Sequence, residues 1–171
     1  MIGTGYVGLV SGTCFADLGN KVYCVDNHKE KINSLNHSIS PIYEPGLDEL
    51  IKKNCNAGRL IFTTNLGAAI KNSDIIFICV GTPTKKKSKD VDLSYVYSAV
   101  KEIAKMTKHK KIIVTKSTVP INTGDKLETL LKKLGKNNFE IISNPEFLRE
   151  GEAIRDFRYP DRIVVGSNNK R

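Results

Sequence analysis

Three glycines near the start of the chain have the spacing of a phosphate-binding turn. The pattern Gly-x-Gly-x-x-Gly comprises Gly3, Thr4, Gly5, Tyr6, Val7 and Gly8. In such a turn the first glycine permits a tight bend, the second lets the backbone approach a pyrophosphate, and the third lets a helix pack closely against a strand. The N-terminus of the helix that follows supplies free N–H groups and positive potential. By itself the motif is common and indicates no more than a dinucleotide.

A carboxylate at the end of the next apolar run narrows the choice of ligand. Asp26 lies 18 positions after Gly8, close to the roughly 20 residues expected between the glycines and the ribose-binding acid of a dinucleotide fold. An acid at this place can bind both ribose hydroxyls, and it repels a 2′-phosphate. The alternative is a chance glycine turn followed by an unrelated Asp. The two features together favour NAD over NADP.

Two further loops follow apolar runs and carry small residues and hydroxyl groups. The first loop comprises Val80, Gly81, Thr82, Pro83 and Thr84, and the second comprises Lys116, Ser117, Thr118, Val119 and Pro120. The first loop can pack along a cofactor, although an ordinary Gly-Pro turn explains it better when it is taken in isolation. A hydroxyl of the second loop can orient water or contact a nicotinamide, and the alternative is a helix cap.

A fourth segment combines two carboxylates with an arginine. It comprises Asn144, Pro145, Glu146, Phe147, Leu148, Arg149, Glu150 and Gly151, directly after an apolar run. Such residues at a strand end suit a shelf that holds a substrate. Glu146 and Glu150 are four positions apart, so they share a face if this segment is helical. The alternative is a capped, solvated turn with a local Glu–Arg pair.

The elements that position these loops follow a regular alternation. Short apolar runs lie at 21–26, 60–64, 74–80, 111–116, 140–143 and 162–166, and helical patterns lie near 7–19, 28–36, 46–55, 66–72, 94–107 and 123–134. Nearly continuous apolar runs are typical of parallel strands that are covered on both faces. The alternation predicts an α/β fold, a Rossmann-type doubly wound parallel sheet in a three-layer αβα arrangement. All loops that follow strands then meet at one edge of the sheet, where ligands bind.

The bulk composition is that of one ordinary α/β domain. The chain has 171 residues, of which 40% are hydrophobic and 7% aromatic, and single domains cluster near 100–200 residues. No apolar run approaches the ~20 residues needed to span a bilayer. The N-terminus leads straight into the glycine motif, without a visible signal peptide. We therefore expect a cytoplasmic protein without a membrane partner.

Neither the cysteines nor the charge indicates another class of ligand. Cys14, Cys24, Cys55 and Cys79 have neither Cys-x-x-Cys nor metal-ligand spacing, so we expect reduced thiols in the core and no metal. The net charge is +9, but the densest lysine run, Lys85-Lys86-Lys87-Ser88-Lys89, has no aromatic residue to stack on bases. We expect a solvated loop there and no nucleic acid partner. The basic surface can still attract an anionic dinucleotide or sugar nucleotide.

Both ends of the chain lie close to predicted elements. Only Met1 and Ile2 precede Gly3, so the first strand, which is normally central, has almost no length. Residues 167–171 are polar and directly follow the last predicted strand. We expect a chain shortened at both ends. The loss of ~3–4 strand residues should lower its stability, because each larger apolar side chain contributes ~1–3 kcal/mol when it is buried.

The motifs in this order resemble those of the UDP-glucose/GDP-mannose dehydrogenase family, and the resemblance covers essentially the whole chain. The matching stretches are GTGYVG at 3–8, VD at 25–26, PIYEPGL at 41–47, GTPT at 81–84, KSTVP at 116–120 and NPEFLREG at 144–151. The tail YPDRIVVG at 159–166 is more similar to the UDP-glucose branch than to the GDP-mannose branch. The resemblance implies a four-electron oxidation of UDP-glucose to UDP-glucuronate with two NAD.

The resemblance also implies roles for individual residues. Thr118 and Glu146 would position water and handle protons as catalytic residues. The substrate would be held by the segment Glu146, Phe147, Leu148, Arg149 and Glu150. Glu150 would also approach the nicotinamide, and Lys31 matches a basic position near the adenosine ribose. The cofactor would contact the glycine turn, Asp26, Lys31, the loop 80–84, Ser117, Thr118 and Glu150.

The chain also departs from the family pattern. The family's nucleophilic cysteine, which captures the aldehyde and carries it to a thioester, lies in a later substrate domain, and none of the four cysteines here has a matching motif. The central dimerisation helix is missing as well. We therefore expect residues 1–171 to be an NAD-binding domain that is inactive alone, from an enzyme that forms a homodimer or a higher homo-oligomer.

Two alternatives stay open. The first is a GDP-mannose or UDP-N-acetyl-hexosamine 6-dehydrogenase, because the choice of base and sugar lies mostly in the missing part. The second is a nucleotide-binding module without catalysis, or a basic nucleic-acid binder, which the charge and the missing nucleophile would suit.

Overall fold

The computed structural model describes residues 1–85, 88 and 90–168, with helices and strands in alternation. Helices are α1 (Tyr6–Asp17), α2 (Lys29–Asn36), α3 (Leu47–Asn56), α4 (Leu66–Lys71), α5 (Ser94–Met106), α6 (Thr123–Lys133) and α7 (Ala153–Arg158). Strands are β1 (Val22–Val25), β2 (Leu60–Thr63), β3 (Ile75–Ile78), β4 (Lys111–Thr115), β5 (Phe139–Ser143) and β6 (Gly166–Ser167). The first six helices and first five strands lie within a few residues of their predicted positions.

The sheet is parallel except at one edge, and two N-terminal residues join its halves. β1 pairs with β2, and β3 pairs with β4, which pairs with β5, all in parallel. The N–H of Ile2 donates to Phe77 O at 2.8 Å, and the N–H of Gly3 donates to Val25 O at 2.8 Å. Ile2 O in turn accepts from the N–H of Cys79 at 2.8 Å. The predicted central strand is thus reduced to isolated bridges, yet it still holds the two halves in one sheet.

Helices cover both faces of the sheet, which gives the predicted three-layer Rossmann-type arrangement. One buried apolar cluster combines α1, α2 and α3 with β1 and β2, and the other combines α4, α5 and α6 with β3, β4 and β5. β3 shows how the clusters divide, because alternate side chains of a strand point to opposite faces. Ile76 and Ile78 belong to the second cluster, whereas Phe77 and Cys79 contact the first.

The predicted parallel strand at 162–166 is wrong. Only Gly166 and Ser167 pair, and they pair in antiparallel orientation with the end of β5. Ile163, Val164 and Val165 are 72%, 42% and 63% exposed. A β-branched run has the local preference of a strand, but it forms one only where a neighbouring edge and an apolar face receive it. The sequence pattern also did not predict α7.

The predicted core thiols are largely confirmed. Cys14, Cys24 and Cys79 are buried, Cys55 is half-buried, and all four are free. Residues 86, 87 and 89 of the predicted lysine loop lie outside the described residues, as do residues 169–171. None of the helices in the described part of the chain combines the length and the apolar character needed to cross a bilayer.

An N-terminal extension of four apolar, β-branched residues is expected to stabilise the domain. The amine of Met1 donates to Tyr23 O at 2.7 Å, and a gap lined by Tyr23, Ile75 and Ile76 lies beside it. Added residues would continue the parallel ladder between β1 and β3 and bury apolar surface. At about 1 kcal/mol per hydrogen bond, we expect the free energy of unfolding to rise by about 2 kcal/mol and Tm by about 4–8 °C.

Calorimetry or circular dichroism of the extended and unextended chains measures this effect. A Gly-Ser-Gly-Ser extension of equal length is the matched control, because it adds backbone without β-preference or apolar side chains. Equal Tm values for all three proteins would contradict the role given to the gap.

Candidate functional site

The glycine turn lies between the sheet and the N-terminus of α1. Gly3 has φ +96°, and a Cβ there would lie 2.6 Å from the carbonyl oxygen of Cys79. A Cβ on Gly8 would overlap the carbonyl oxygen of Gly3 and lie 3.0 Å from the Cβ of Cys79. A Cβ on Gly5 would have no heavy atom within 4 Å. The first and third glycines therefore permit close packing, whereas the second lies beside open space at a helix N-terminus.

Asp26 connects this turn to the end of β1. Its Oδ2 accepts from the N–H of Thr4 at 3.0 Å, from the Thr4 hydroxyl at 2.7 Å and from Lys31 Nζ at 3.0 Å, and its Oδ1 accepts from the N–H of His28 at 3.1 Å. Burial raises the pKa of this carboxyl, but hydrogen bonds from Thr4, His28 and Lys31 outweigh burial and lower it to about 2. The structure therefore brings together the predicted residues Thr4, Asp26 and Lys31 around an ionised carboxylate.

The loops after β3 and β4 contact each other at the same edge of the sheet. The Thr82 hydroxyl donates to Thr118 O at 2.9 Å, and the Ser117 hydroxyl donates to Val80 O at 2.7 Å. Ser117 is buried, so its hydroxyl ties the two loops together, whereas Thr118 is exposed at the edge. The predicted residues Gly81, Pro83 and Thr84 are exposed in the same loop.

Glu146 and Glu150 do not meet the condition for sharing a helical face, because residues 144–151 are not helical. Pro145 disfavours helical geometry for the residue before it. The Glu146 carboxylate accepts from the N–H of Leu148 at 2.6 Å, and such local bonds between side chain and backbone compete with a helix. Glu146 is half-buried and Glu150 is exposed.

Arg149 pairs with acids outside the predicted segment. Its guanidinium donates to Asp156 at 2.7 and 3.0 Å and forms an ion pair with Glu152 at 2.7 Å. The Arg149 N–H also donates to Asp156 at 2.9 Å. The side chain therefore holds the loop against α7, while Phe147 remains half-exposed beneath Arg162, whose guanidinium lies 5.1 Å from the ring centroid.

A buried lysine lies beneath this loop and was not predicted. Lys116 is 7% exposed, and its Nζ donates to the Oδ1 of Asn144 at 3.1 Å. Burial lowers the pKa of this ammonium, and the nearby Glu146 acts in the opposite direction. Lys116 ends an apolar run and opens the stretch KSTVP, which matches the family, but no spacing rule indicates that its side chain is buried.

A buried glutamate was also missed. Glu44 is 5% exposed, and it accepts hydrogen bonds from Tyr6 in the glycine turn and from the backbone after residue 149. Glu44 lies in the stretch PIYEPGL at 41–47, which matches the family. No spacing in that stretch indicates that the Glu44 side chain is buried. The structure thus brings the glycine turn, Glu44 and the loop 144–151 into direct contact.

Comparisons with known proteins agree with this geometry. The family described as UDP-glucose/GDP-mannose dehydrogenase family, NAD binding domain, matches residues 1–171. The chain is 52% identical over 167 residues to UDP-glucose 6-dehydrogenase of Rhizobium meliloti, covering 97% of this chain and 38% of the relative. It is 50% identical to UDP-glucose 6-dehydrogenase TuaD of Bacillus subtilis, covering 100% of this chain and 37% of the relative. The chain thus spans less than two fifths of these relatives.

Solved structures show the same fold. A ternary complex of GDP-mannose dehydrogenase from Pseudomonas aeruginosa matches with TM-score 0.92 and 38% identity over 99% of this chain and 40% of that one. A UDP-glucose dehydrogenase from Pyrobaculum islandicum matches with the same TM-score, identity and coverage.

Proposed function

Because the chain belongs to the UDP-glucose/GDP-mannose dehydrogenase family as its NAD-binding domain, we propose that it is the cofactor-holding part of a UDP-glucose 6-dehydrogenase. The enzyme would oxidise UDP-glucose to UDP-glucuronate. One observation carries the cofactor side of this proposal, namely the open space at Gly5 next to the carboxylate of Asp26. The relatives named for UDP-glucose at 50–52% identity support the choice of sugar nucleotide.

The residues present fit NAD. The N-terminus of α1 has no side-chain cap, so its first N–H groups and the space at Gly5 can receive a pyrophosphate. Asp26 can accept from the adenosine ribose hydroxyls, with Lys31 beside it. Val80, Gly81, Thr82, Pro83 and Thr84, together with Ser117 and Thr118, would line the path toward the nicotinamide. NAD supplies the hydride acceptor, one per two-electron oxidation.

Thr118 and Glu146 are proposed to act on water and protons near the sugar. The Thr118 side chain is exposed at the strand-end edge, so its hydroxyl can hold a water. Glu146 uses Oε2 for the N–H of Leu148, which leaves Oε1 as the oxygen that can accept a proton or a hydrogen bond. The backbone from Phe147 to Glu150 would hold the substrate, and Glu150 would approach the nicotinamide.

The nucleophilic cysteine is proposed to come from a part of the enzyme outside residues 1–171. Burial raises the pKa of Cys14 and of Cys79 to about 12, so these thiols stay protonated at neutral pH, whereas thiolate is the nucleophile. The substrate domain and the contacts of a homo-oligomer would likewise come from that part. In this proposal residues 1–171 form one NAD-binding domain.

Titration of the folded chain with NADH and with NADPH, followed by cofactor fluorescence, tests the proposal. NADH is expected to bind at least about tenfold more tightly than NADPH, because a half-buried carboxylate at the ribose disfavours a 2′-phosphate. Equal affinities, or no binding of NADH, would contradict the cofactor assignment. UDP-glucose with NAD should give no NADH from this chain alone, and sustained turnover would contradict the proposed division between domains.

GDP-mannose is the second candidate substrate. It is favoured by the P. aeruginosa structure, which matches this chain as well as the UDP-glucose dehydrogenase structure does.

A further inference from the structure

Glu44 lies between two segments that are far apart in the sequence. It occupies the bend before α3, 38 positions from Tyr6 and 107 positions from Gly151. Its side chain is almost fully buried. A buried carboxylate costs free energy unless it is hydrogen-bonded, so its partners indicate what the position is for.

Among the described residues, the hydrogen-bond donors to the Glu44 carboxylate all come from these two segments. Oε2 accepts from the Tyr6 hydroxyl and from the N–H of Gly151 at 2.8 Å, and Oε1 accepts from the N–H of Ile154 at 3.3 Å. The N–H of Gly151 also donates to the Tyr6 hydroxyl at 3.0 Å, and that hydroxyl lies 3.3 Å from Arg149 O. The salt bridges found among the described residues do not include Glu44.

The network fixes the loop relative to the turn. Tyr6 is the first residue of α1 and directly follows Gly5, so its backbone moves with the pyrophosphate-binding turn. Gly151 directly follows Glu150, whose negative charge is close enough to help raise the pKa of the Tyr6 phenol. Glu44 therefore links the two segments: a shift of the glycine turn would move Gly151, and a shift of Gly151 would move the turn.

We propose that Glu44 is a positioning residue that couples the two halves of the dinucleotide site, by holding the loop at 149–154 against the glycine turn. The inference rests on the proposed function, since it assigns Glu150 to the nicotinamide half. A ligand that contacts both the turn and the loop gains affinity from this coupling. A ligand that contacts only the turn gains little affinity from it.

Binding of NADH and of ADP-ribose to Glu44→Gln tests the coupling. ADP-ribose retains the pyrophosphate and both riboses but lacks nicotinamide, so it reports on the turn. In the variant an amide N–H₂ group faces backbone N–H donors, and the loop loses its charged acceptor. We expect the Kd for NADH to rise about tenfold, within the usual range of coupling between sites, and the Kd for ADP-ribose to change less than about twofold.

The outcomes separate the inference from the proposed function. If the unmodified chain fails to bind NADH, the proposed function is overturned. If it binds NADH and Glu44→Gln binds NADH equally well, or loses ADP-ribose to the same extent, the coupling is overturned. Glu49→Gln is the matched control, because Glu49 is an exposed carboxylate at the start of α3, and it should leave both Kd values unchanged.

The phenol of Tyr6 provides a second readout that does not depend on any ligand. Burial and the hydrogen bond to Glu44 raise the pKa of Tyr6 to about 12. Ultraviolet titration of Glu44→Gln should show this pKa moving toward 10, with Tyr6→Phe identifying the transition. An unchanged titration would show that the carboxylate does not hold the phenol, and it would overturn the proposed link.

Discussion

Replacement of Asp26 by Asn is expected to weaken NADH binding by roughly 10–100-fold and to remove most of the preference for NADH over NADPH. Hydrogen bonds to a charged group contribute about 1.5–3 kcal/mol each, and 1.4 kcal/mol corresponds to a factor of ten in Kd. The substitution removes the charge that repels a 2′-phosphate. In the unmodified chain, Asp26 accepts hydrogen bonds from Thr4 and Lys31. The substitution also brings an amide N–H₂ group close to these donors.

Parallel fluorescence titrations of the variant with NADH and NADPH measure both effects. Asp74→Asn is the matched control, since Asp74 is fully exposed at the opposite edge of the sheet, directly before β3. It should keep both affinities. If Asp26→Asn retained the NADH preference of the unmodified chain, the ribose-binding role of Asp26 would be wrong.

The same carboxylate is expected to shape the stability of the domain in acid. The folded pKa of Asp26 is about 2, below the roughly 3.9 of an unfolded Asp. A group with a lowered folded pKa stabilises the fold fully above its unfolded pKa, and that stabilisation is lost as the pH falls through the folded value. As the pH is lowered from 5 to about 2, the Tm of Asp26→Asn should therefore fall less steeply than the Tm of the unmodified chain. Curves with identical slopes would contradict the contribution of Asp26.

Local spacing predicted where the glycine turn and Asp26 lie relative to each other. The turn of Gly3, Gly5 and Gly8 depends on backbone shape, and Asp26 lies at the end of a strand, so both positions follow from residue type and distance along the chain. The loops after β3 and β4 were located for a similar reason. Apolar runs that alternate with helices fix the order of a parallel sheet, and that order places the following loops at one edge.

The wrong and the missed predictions concern features that depend on partners distant in the sequence. The run at 163–165 has strand preference, but it lies past the end of β5, which pairs instead with Gly166 and Ser167, and it is exposed. Glu44 and Lys116 are charged residues whose burial depends on Gly151 and Asn144, each more than 25 positions away. Composition and periodicity assign charged residues to the surface. The stretches PIYEPGL and KSTVP contain these two residues, but neither stretch indicates that they are buried.

Substitution of Gly8 by Ala is expected to destabilise the fold, whereas substitution of Gly5 by Ala is expected to impair binding alone. The methyl group at position 8 would overlap the carbonyl oxygen of Gly3 and crowd Cys79, and backbone atoms cannot move aside as a flexible side chain can. Overpacking of this kind costs about 1–3 kcal/mol or more. We expect the higher end of that range, with Tm lowered by about 6–12 °C.

The Gly5→Ala variant separates folding from binding, because a methyl group there meets no heavy atom within 4 Å. The backbone of Gly5, with φ −69°, is accessible to alanine, so stability should stay within about 0.5 kcal/mol of the unmodified chain. The methyl group would fill the space through which the backbone approaches a pyrophosphate, so NADH affinity should fall at least about tenfold. Melting curves and NADH titrations of both variants, side by side, decide the matter. If Gly5→Ala bound NADH normally, the pyrophosphate would have to lie away from the N-terminus of α1, and the cofactor path proposed along this edge of the sheet would be wrong.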